Sequence, residues 1–230
     1  MLLSILGLGF LLGVRHAFEA DHLAAVASLA SRTRSLRGTA GVAAIWGLGH
    51  SLTLIVLGGI VIALGMVIPG RLGMALESAA GVMLIVLGIG LLREVAGGQH
   101  RLEPAHGTHD HDEAHAAAHR LGHPHVHRPD LHAHILLPKA LLVGSVHGLA
   151  GTGALVLLSV QALRSGLQAF GYLAVFAVGS ILGLILFSVA FFVPMGLSRR
   201  WLQQGSAAFD VLIGIGNIGI GGWVIAQAIR

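Results

Sequence analysis

An all-α, polytopic membrane protein with six transmembrane helices arranged as two inverted three-helix repeats is the fold the sequence predicts, and three observations carry that reading. Of 230 residues, 55% are hydrophobic and only 10% charged, with 34 glycines, a balance far from that of soluble domains. Apolar stretches long enough to cross a bilayer, about 20 residues at a rise of about 1.5 Å each, recur six times along the chain. The two halves also resemble each other at a nearly constant offset.

Taken in order, the spans cover residues 2–29, 39–68, 72–92, 138–163, 167–197 and 203–229. The first could pass for the apolar core of a leader peptide, but no basic region precedes it and the apolar pattern runs on past Arg15, so it is read as a retained span. Between the third and fourth lies the only long polar segment, residues 93–137, which holds 11 of the 15 histidines. The chain thus divides into a three-helix unit over 1–92, a flexible histidine-rich loop over 93–137 and a second three-helix unit over 138–230. Arg32, Arg34, Arg37, Arg93, Arg101, Arg120, Arg128, Lys139, Arg199 and Arg200 collect on one side of these spans, and only Arg71, Arg164 and Arg230 reach the other. The positive-inside rule makes the first side cytoplasmic, in a cell (inner) membrane, with the loop in the cytoplasm and both termini outside. Because the basic residues sit in these short gaps, the net charge of +4 is a topology signal and does not point to nucleic acid.

The repeat is clearest where residues 41–56 lie over 171–186 without a gap, matching at six of 16 positions. With nearly the same offset Leu11, Gly13 and His16 fall on Leu142, Gly144 and His147, His50 on Ser180, and Glu77 and Gly81 on Asp210 and Gly214. Each half holds an odd number of spans, so the two enter the membrane with opposite orientation. That is the plan in which a transported substrate is bound near the midplane where the repeats meet. Gly7, Gly9 and Gly13 are read as packing positions, and Glu77 and Asp210 as interfacial.

The chemistry concentrates in the first span. His16, Glu19, Asp21 and His22 lie within a segment expected to cross the bilayer, where each ionised group costs roughly 2.5–3.5 kcal/mol at the centre. Such a cluster must face something that rewards charge, and imidazole with carboxylate suits a transition-metal cation, whereas Mg²⁺ and Ca²⁺ call for oxygen cages. The absence of cysteine leaves imidazole, carboxylate and backbone carbonyl as the ligands on offer. His50 in the second span and His147 in the fourth extend the candidate set. In a straight helix His16 and His22 share a face but stand about 9 Å apart along the axis. Either the span breaks near residues 17–20, or the two histidines serve successive positions along a path. Arg15 is expected to pair with Glu19 or Asp21. An intramembrane metalloprotease would need His-Glu-x-x-His, and that spacing is missing.

The stretch Arg15-His16-Ala17-Phe18-Glu19-Ala20-Asp21-His22-Leu23 resembles the signature of the nickel/cobalt transporter family, a His followed after four residues by Asp-His. Gly47-Leu48-Gly49-His50-Ser51 resembles that family's second motif. Glu19 stands where the family usually has Asp, and His147-Gly148-Leu149-Ala150-Gly151-Thr152-Gly153-Ala154 replaces the later acidic motifs. That pattern and the six spans are more similar to the short, urease-associated UreH-like branch. The resemblance implies His16, Asp21, His22 and His50 as metal-recognising residues, Ni²⁺ and secondarily Co²⁺ as transported substrate, and no enzymatic activity or cofactor. It also implies the lipid bilayer and cytoplasmic metallochaperones or nickel-enzyme maturation proteins as partners.

Moving a divalent cation inward through 100 mV gains about 4.6 kcal/mol, enough for roughly thousandfold accumulation without further coupling. Uptake is therefore the expected direction. The alternatives are proton-coupled nickel or cobalt efflux and a membrane metal sensor or scaffold that translocates nothing. His106, His109, His111, His123, His125 and His127 in the loop form an auxiliary metal-chelating tract with too few apolar residues to fold. Removing residues 105–134 is expected to leave transport itself in place.

Overall fold

The computed structural model describes residues 2–33, 35–64, 70–97, 131–149, 166–201 and 205–230. They form seven helices: α1 (Leu2–Ala17), α2 (Ala20–Ala30), α3 (Leu36–Leu64), α4 (Gly70–Ala96), α5 (Leu131–Gly148), α6 (Gly166–Trp201) and α7 (Gly205–Ala228). Among the described residues four helices are long and apolar enough to cross a membrane, within α3, α4, α6 and α7. The bent pair α1 and α2 makes a fifth candidate. Of the fourth expected span, residues 138–163, the part through Gly148 belongs to α5 and the part beyond Leu149 lies outside the described residues. Helix α5 begins at Leu131, so helical structure reaches into what the sequence reads as loop, while the loop histidines from His106 to His127 lie outside the described residues.

The first span breaks. Helix α1 ends at Ala17, α2 starts at Ala20, and their axes differ by 60°. The Phe18 and Glu19 amides donate to the Arg15 and His16 carbonyls at 3.0 Å in a tight closing turn, and Glu19 is extended (φ −67°, ψ 145°) before the Leu23 amide reopens helical bonding to the Glu19 carbonyl. Neither proline nor glycine stands at the break. The side chains there hold it instead, as described below.

Helix α2 is the centre of the bundle. Five of its 11 residues are alanine, and His22 and every residue from Ala24 to Ala30 are buried. A small-residue helix presents no side chains that would keep neighbours at a distance, and α2 accordingly touches α3, α4, α6 and α7. After it, Arg32 pairs with Glu94 of α4 at 2.8 Å, tying the α2–α3 connection to the end of α4.

Around α2 the most extensive pairings are α4 with α7, α1 with α6, and α3 with α5; α3 also packs on α6. Glycine sets how closely three of these pairs approach. A Cβ on Gly13 would lie 2.1 Å from the Phe176 carbonyl oxygen, and one on Gly144 would lie 2.0 Å from that of Trp46. Gly179 abuts the Phe10 carbonyl and Gly49 the Leu141 carbonyl in the same manner, while Gly81 meets Gly221 and Gly88 meets Gly214 between α4 and α7. Gly9 packs on Tyr172, as expected of a packing position, whereas Gly7 faces open space. Asp210 is fully buried near the start of α7, and Glu77 is half-buried.

Candidate metal centre

The break in the first span brings its two histidines together. His16 occupies the last turn of α1 and His22 the first turn of α2, and with the 60° bend their ring centres come to 4.2 Å. Of the two arrangements the sequence left open, the broken helix is the one found. At such a break the C-terminal end of α1 carries partial negative charge and the N-terminal end of α2 partial positive charge, so the first favours a cation and the second the Asp21 carboxylate.

Two further helices supply the remaining imidazoles. His50 lies near the middle of the 29-residue α3, and His147 in the last turn of α5. His16 Nε2 is 3.2 Å from His50 Nε2. Asp21 bridges the other two imidazoles: its Oδ1 accepts the His22 backbone N–H at 3.0 Å and lies 3.0 Å from His22 Nδ1, while its Oδ2 lies 3.0 Å from His147 Nε2. The four imidazoles are 5% exposed or less. Asp21 is 21% and Glu19 40% exposed, so the carboxylates form the accessible rim and the imidazoles the interior.

Aromatic rings wall the cluster. Trp46, one turn before His50 on α3, stacks on the His50 ring at 5.3 Å and 5° and also borders His22 and His147. Phe176 of α6 lies 5.3 Å from His16. The imidazoles are shielded from solvent, and several buried polar atoms, His22 Nε2, His50 Nδ1 and His147 Nδ1 among them, have no hydrogen-bond partner among the described residues. Buried polar atoms left in that state cost free energy unless a ligand takes them up.

The spacings suit a metal ion. His16, His22 and His50 form one group, and Asp21, His22 and His147 another, in which one ligand atom from each residue falls within 4.8 Å of the others. With metal–nitrogen bonds of about 2.1 Å, adjacent ligands stand about 3.0 Å apart in an octahedron and about 3.4 Å apart in a tetrahedron. The 3.2 Å between His16 and His50 and the 3.0 Å between Asp21 and His147 fall at that scale.

A family model described as High-affinity nickel-transport protein (NicO) matches residues 2–220. The chain belongs to this nickel-transport family. It is 31% identical over 212 residues, 91% of its own length and 86% of the relative's, to the urease accessory protein UreH of Bacillus sp. (strain TB-90). No solved structure matches.

Within this nickel-transport chain, five of the six expected intramembrane ligands, His16, Asp21, His22, His50 and His147, fall into the two groups that share His22. Glu19 is set apart: its carboxylate contacts His16 Nδ1 at 3.2 Å from the outer side and belongs to neither three-ligand group. That contact and the Asp21 bonds to His22 hold the break. Arg15 is exposed and makes no ion pair with Glu19 or Asp21 among the described residues; histidines take the role expected of it. Trp46 and Phe176 were not singled out from the sequence, although they coincide in the internal repeat and each precedes a repeat-matched site position, His50 or Ser180, by four residues.

Proposed function

We propose that this chain is a membrane permease carrying Ni²⁺ into the cytoplasm, with Co²⁺ as a secondary cargo, and that His16, Asp21, His22, His50 and His147 hold the ion in transit. The observation that carries the reading is the buried cluster of four imidazoles and a carboxylate at a break between two half-helices, inside a bundle of membrane-length helices. A water-excluded site of this make-up has little structural use, since its unpartnered nitrogens and anionic Asp21 destabilise the empty bundle. Membership of a nickel-transport family and likeness to a urease accessory protein support nickel as the cargo.

An architecture of two inverted three-helix repeats supports transport and is itself supported by the packing. Exchanging the halves turns the α1·α6 pair into α5·α3 and returns α4·α7 to itself. The individual contacts follow the same exchange. Gly13 on Phe176 becomes Gly144 on Trp46, Gly179 on Phe10 becomes Gly49 on Leu141, and Gly81 with Gly221 becomes Gly214 with Gly88. His16 beside Phe176 becomes His147 beside Trp46, at 5.3 Å in both. Two related halves closing on one midplane site are suited to opening alternately to either face.

The membrane potential supplies the drive for uptake, about 4.6 kcal/mol per divalent ion at 100 mV. The loop histidines act as a cytoplasmic collecting tract that hands nickel to metallochaperones or maturation proteins. The test is Ni²⁺ and Co²⁺ flux in proteoliposomes with an imposed inside-negative potential, comparing native protein with His16→Ala and His22→Ala. Potential-driven uptake lost in either variant is the expected result. Flux that requires an opposing proton gradient would favour efflux, and bound metal with no flux under any gradient would leave a sensor or scaffold.

A further inference from the structure

His22 belongs to both ligand groups, and its two nitrogens face different surroundings. Nδ1 is engaged on the mixed side, 3.0 Å from Asp21 Oδ1. Nε2, across the ring, is buried without a hydrogen-bond partner among the described residues, and the ring as a whole is bordered by those of His16, His147 and His50 at 4.2, 4.6 and 4.9 Å centre to centre. A neutral imidazole has one nitrogen lone pair free to bind a metal, because the other nitrogen holds the ring proton. His22 can therefore complete the Asp21–His22–His147 group or the His16–His22–His50 group, but not both at once.

We infer that the centre consists of two mutually exclusive subsites sharing His22, and that a divalent transition-metal ion passes from one to the other by exchanging the two nitrogens of that ring. The inference rests on the permease reading above and adds the sequence of ligand sets inside the site. Asp21 is the one member of either group with appreciable exposure, so in this conformation an arriving ion meets the mixed subsite first, and the all-imidazole subsite is the occluded one. In the exchange the metal–Nδ1 bond breaks and a metal–Nε2 bond forms. The ring proton moves the opposite way, given up at Nε2 to water that enters with the hydrated ion and regained from it at Nδ1, where Asp21 Oδ1 accepts its hydrogen bond. The charge of the ring and the oxidation state of the ion do not change.

The order has a chemical consequence for selectivity. A carboxylate with two imidazoles attracts any divalent ion, hydrated Mg²⁺ included, but trading that oxygen for a third imidazole favours only ions that accept nitrogen readily. Capture and discrimination are thus performed by different ligand sets a few ångströms apart.

The experiment uses full-length protein in lipid nanodiscs, with glutamine at the eleven histidines of residues 93–137 so that loop chelation does not contribute. It is titrated with Co²⁺ alone, read by visible absorption, and with Ni²⁺ alone, read by X-ray absorption. The expected result is one ion per chain, retained in His50→Ala with a carboxylate ligand and in His147→Ala with the imidazole set of the other group. His22→Ala should bind at least about tenfold more weakly than either, because it removes a ligand from both subsites. Where an alanine variant does not insert, the glutamine variant replaces it. Two ions bound at once, one common coordination in His50→Ala and His147→Ala, or a His22→Ala affinity equal to theirs would overturn the two-subsite assignment. Absence of flux from native protein with these binding results intact would overturn the permease reading instead.

Discussion

Gly144→Ala tests whether helix packing positions the metal centre. Gly144 stands three residues before His147 on α5, against the backbone of α3, where an added methyl would lie 2.0 Å from the Trp46 carbonyl oxygen and 2.8 Å from its carbon. Cβ contacts below 3.0 Å are essentially never tolerated, so the two helices must part by at least about 1 Å at this point. Overpacking on that scale costs about 1–3 kcal/mol. Metal–ligand distances tolerate about 0.2 Å, so a displacement several times larger between His147 on one helix and His50 on the other spoils the ligand geometry. The expected loss of Ni²⁺ affinity is about 10–100-fold, the scale seen when groups that position metal ligands are altered. Chemical unfolding in detergent reads the stability, and Ni²⁺ titration with proteoliposome flux reads the site. Gly7→Ala is the control, since nothing lies within 4 Å of a Cβ there, and it should match native protein in both assays. Native stability together with native affinity in Gly144→Ala would refute the argument that close approach of α3 and α5 sets the centre.

Three further outcomes are expected. With Trp201 and Trp223 replaced by phenylalanine, Ni²⁺ or Co²⁺ should quench the remaining Trp46 fluorescence, because that ring stacks on His50 at 5.3 Å; unchanged emission at saturating metal would place the ion elsewhere. Affinity for Ni²⁺ should fall as pH drops, because proton and metal compete for the same imidazole lone pair. Titrations carried from about pH 8 to well below the range of a free imidazole, near 6.5, measure this, and an affinity unchanged down to about pH 4 would count against imidazole ligation. Glutamine at His106, His109, His111, His123, His125 and His127 should leave potential-driven flux within about threefold of native while lowering the number of ions bound per chain. Substitution is preferred to deleting residues 105–134 because α5 begins at Leu131.

Much of this was legible in the sequence because the bilayer makes polar groups conspicuous. His16, Asp21, His22, His50 and His147 stand out in runs of leucine, glycine and alanine, and all five meet in the structure. The described helices end within about four residues of the expected bounds for the first, second, third, fifth and sixth spans, whereas α5 begins seven residues before the fourth. The break between α1 and α2 could be inferred only indirectly, from the distance a straight helix would impose between His16 and His22. Local propensity gives no sign of it, because it is fixed by Glu19 on His16 and Asp21 on His22 rather than by proline or glycine. The expected Arg15 pairing failed because Arg15 is exposed while Glu19 and Asp21 turn to His16, His22 and His147. Trp46 was hidden by its own character, since an apolar ring four residues from a histidine reads as ordinary core until the stacking on His50 is seen.

The glycine contacts divide the bundle into stiff and soft seams. Within α1·α6, α3·α5 and α4·α7, backbone rests directly on backbone, so neither helix of a pair can tilt without its partner. Between α3 and α6 the touch is through side chains, as where Gly47 meets Ile181 and Leu184 at 3.2 Å, and such contacts can slide. His16 rides on the first pair and His50 on the second, so their 3.2 Å contact spans a soft seam. An ion held between them would therefore clasp two bodies that otherwise meet through side chains.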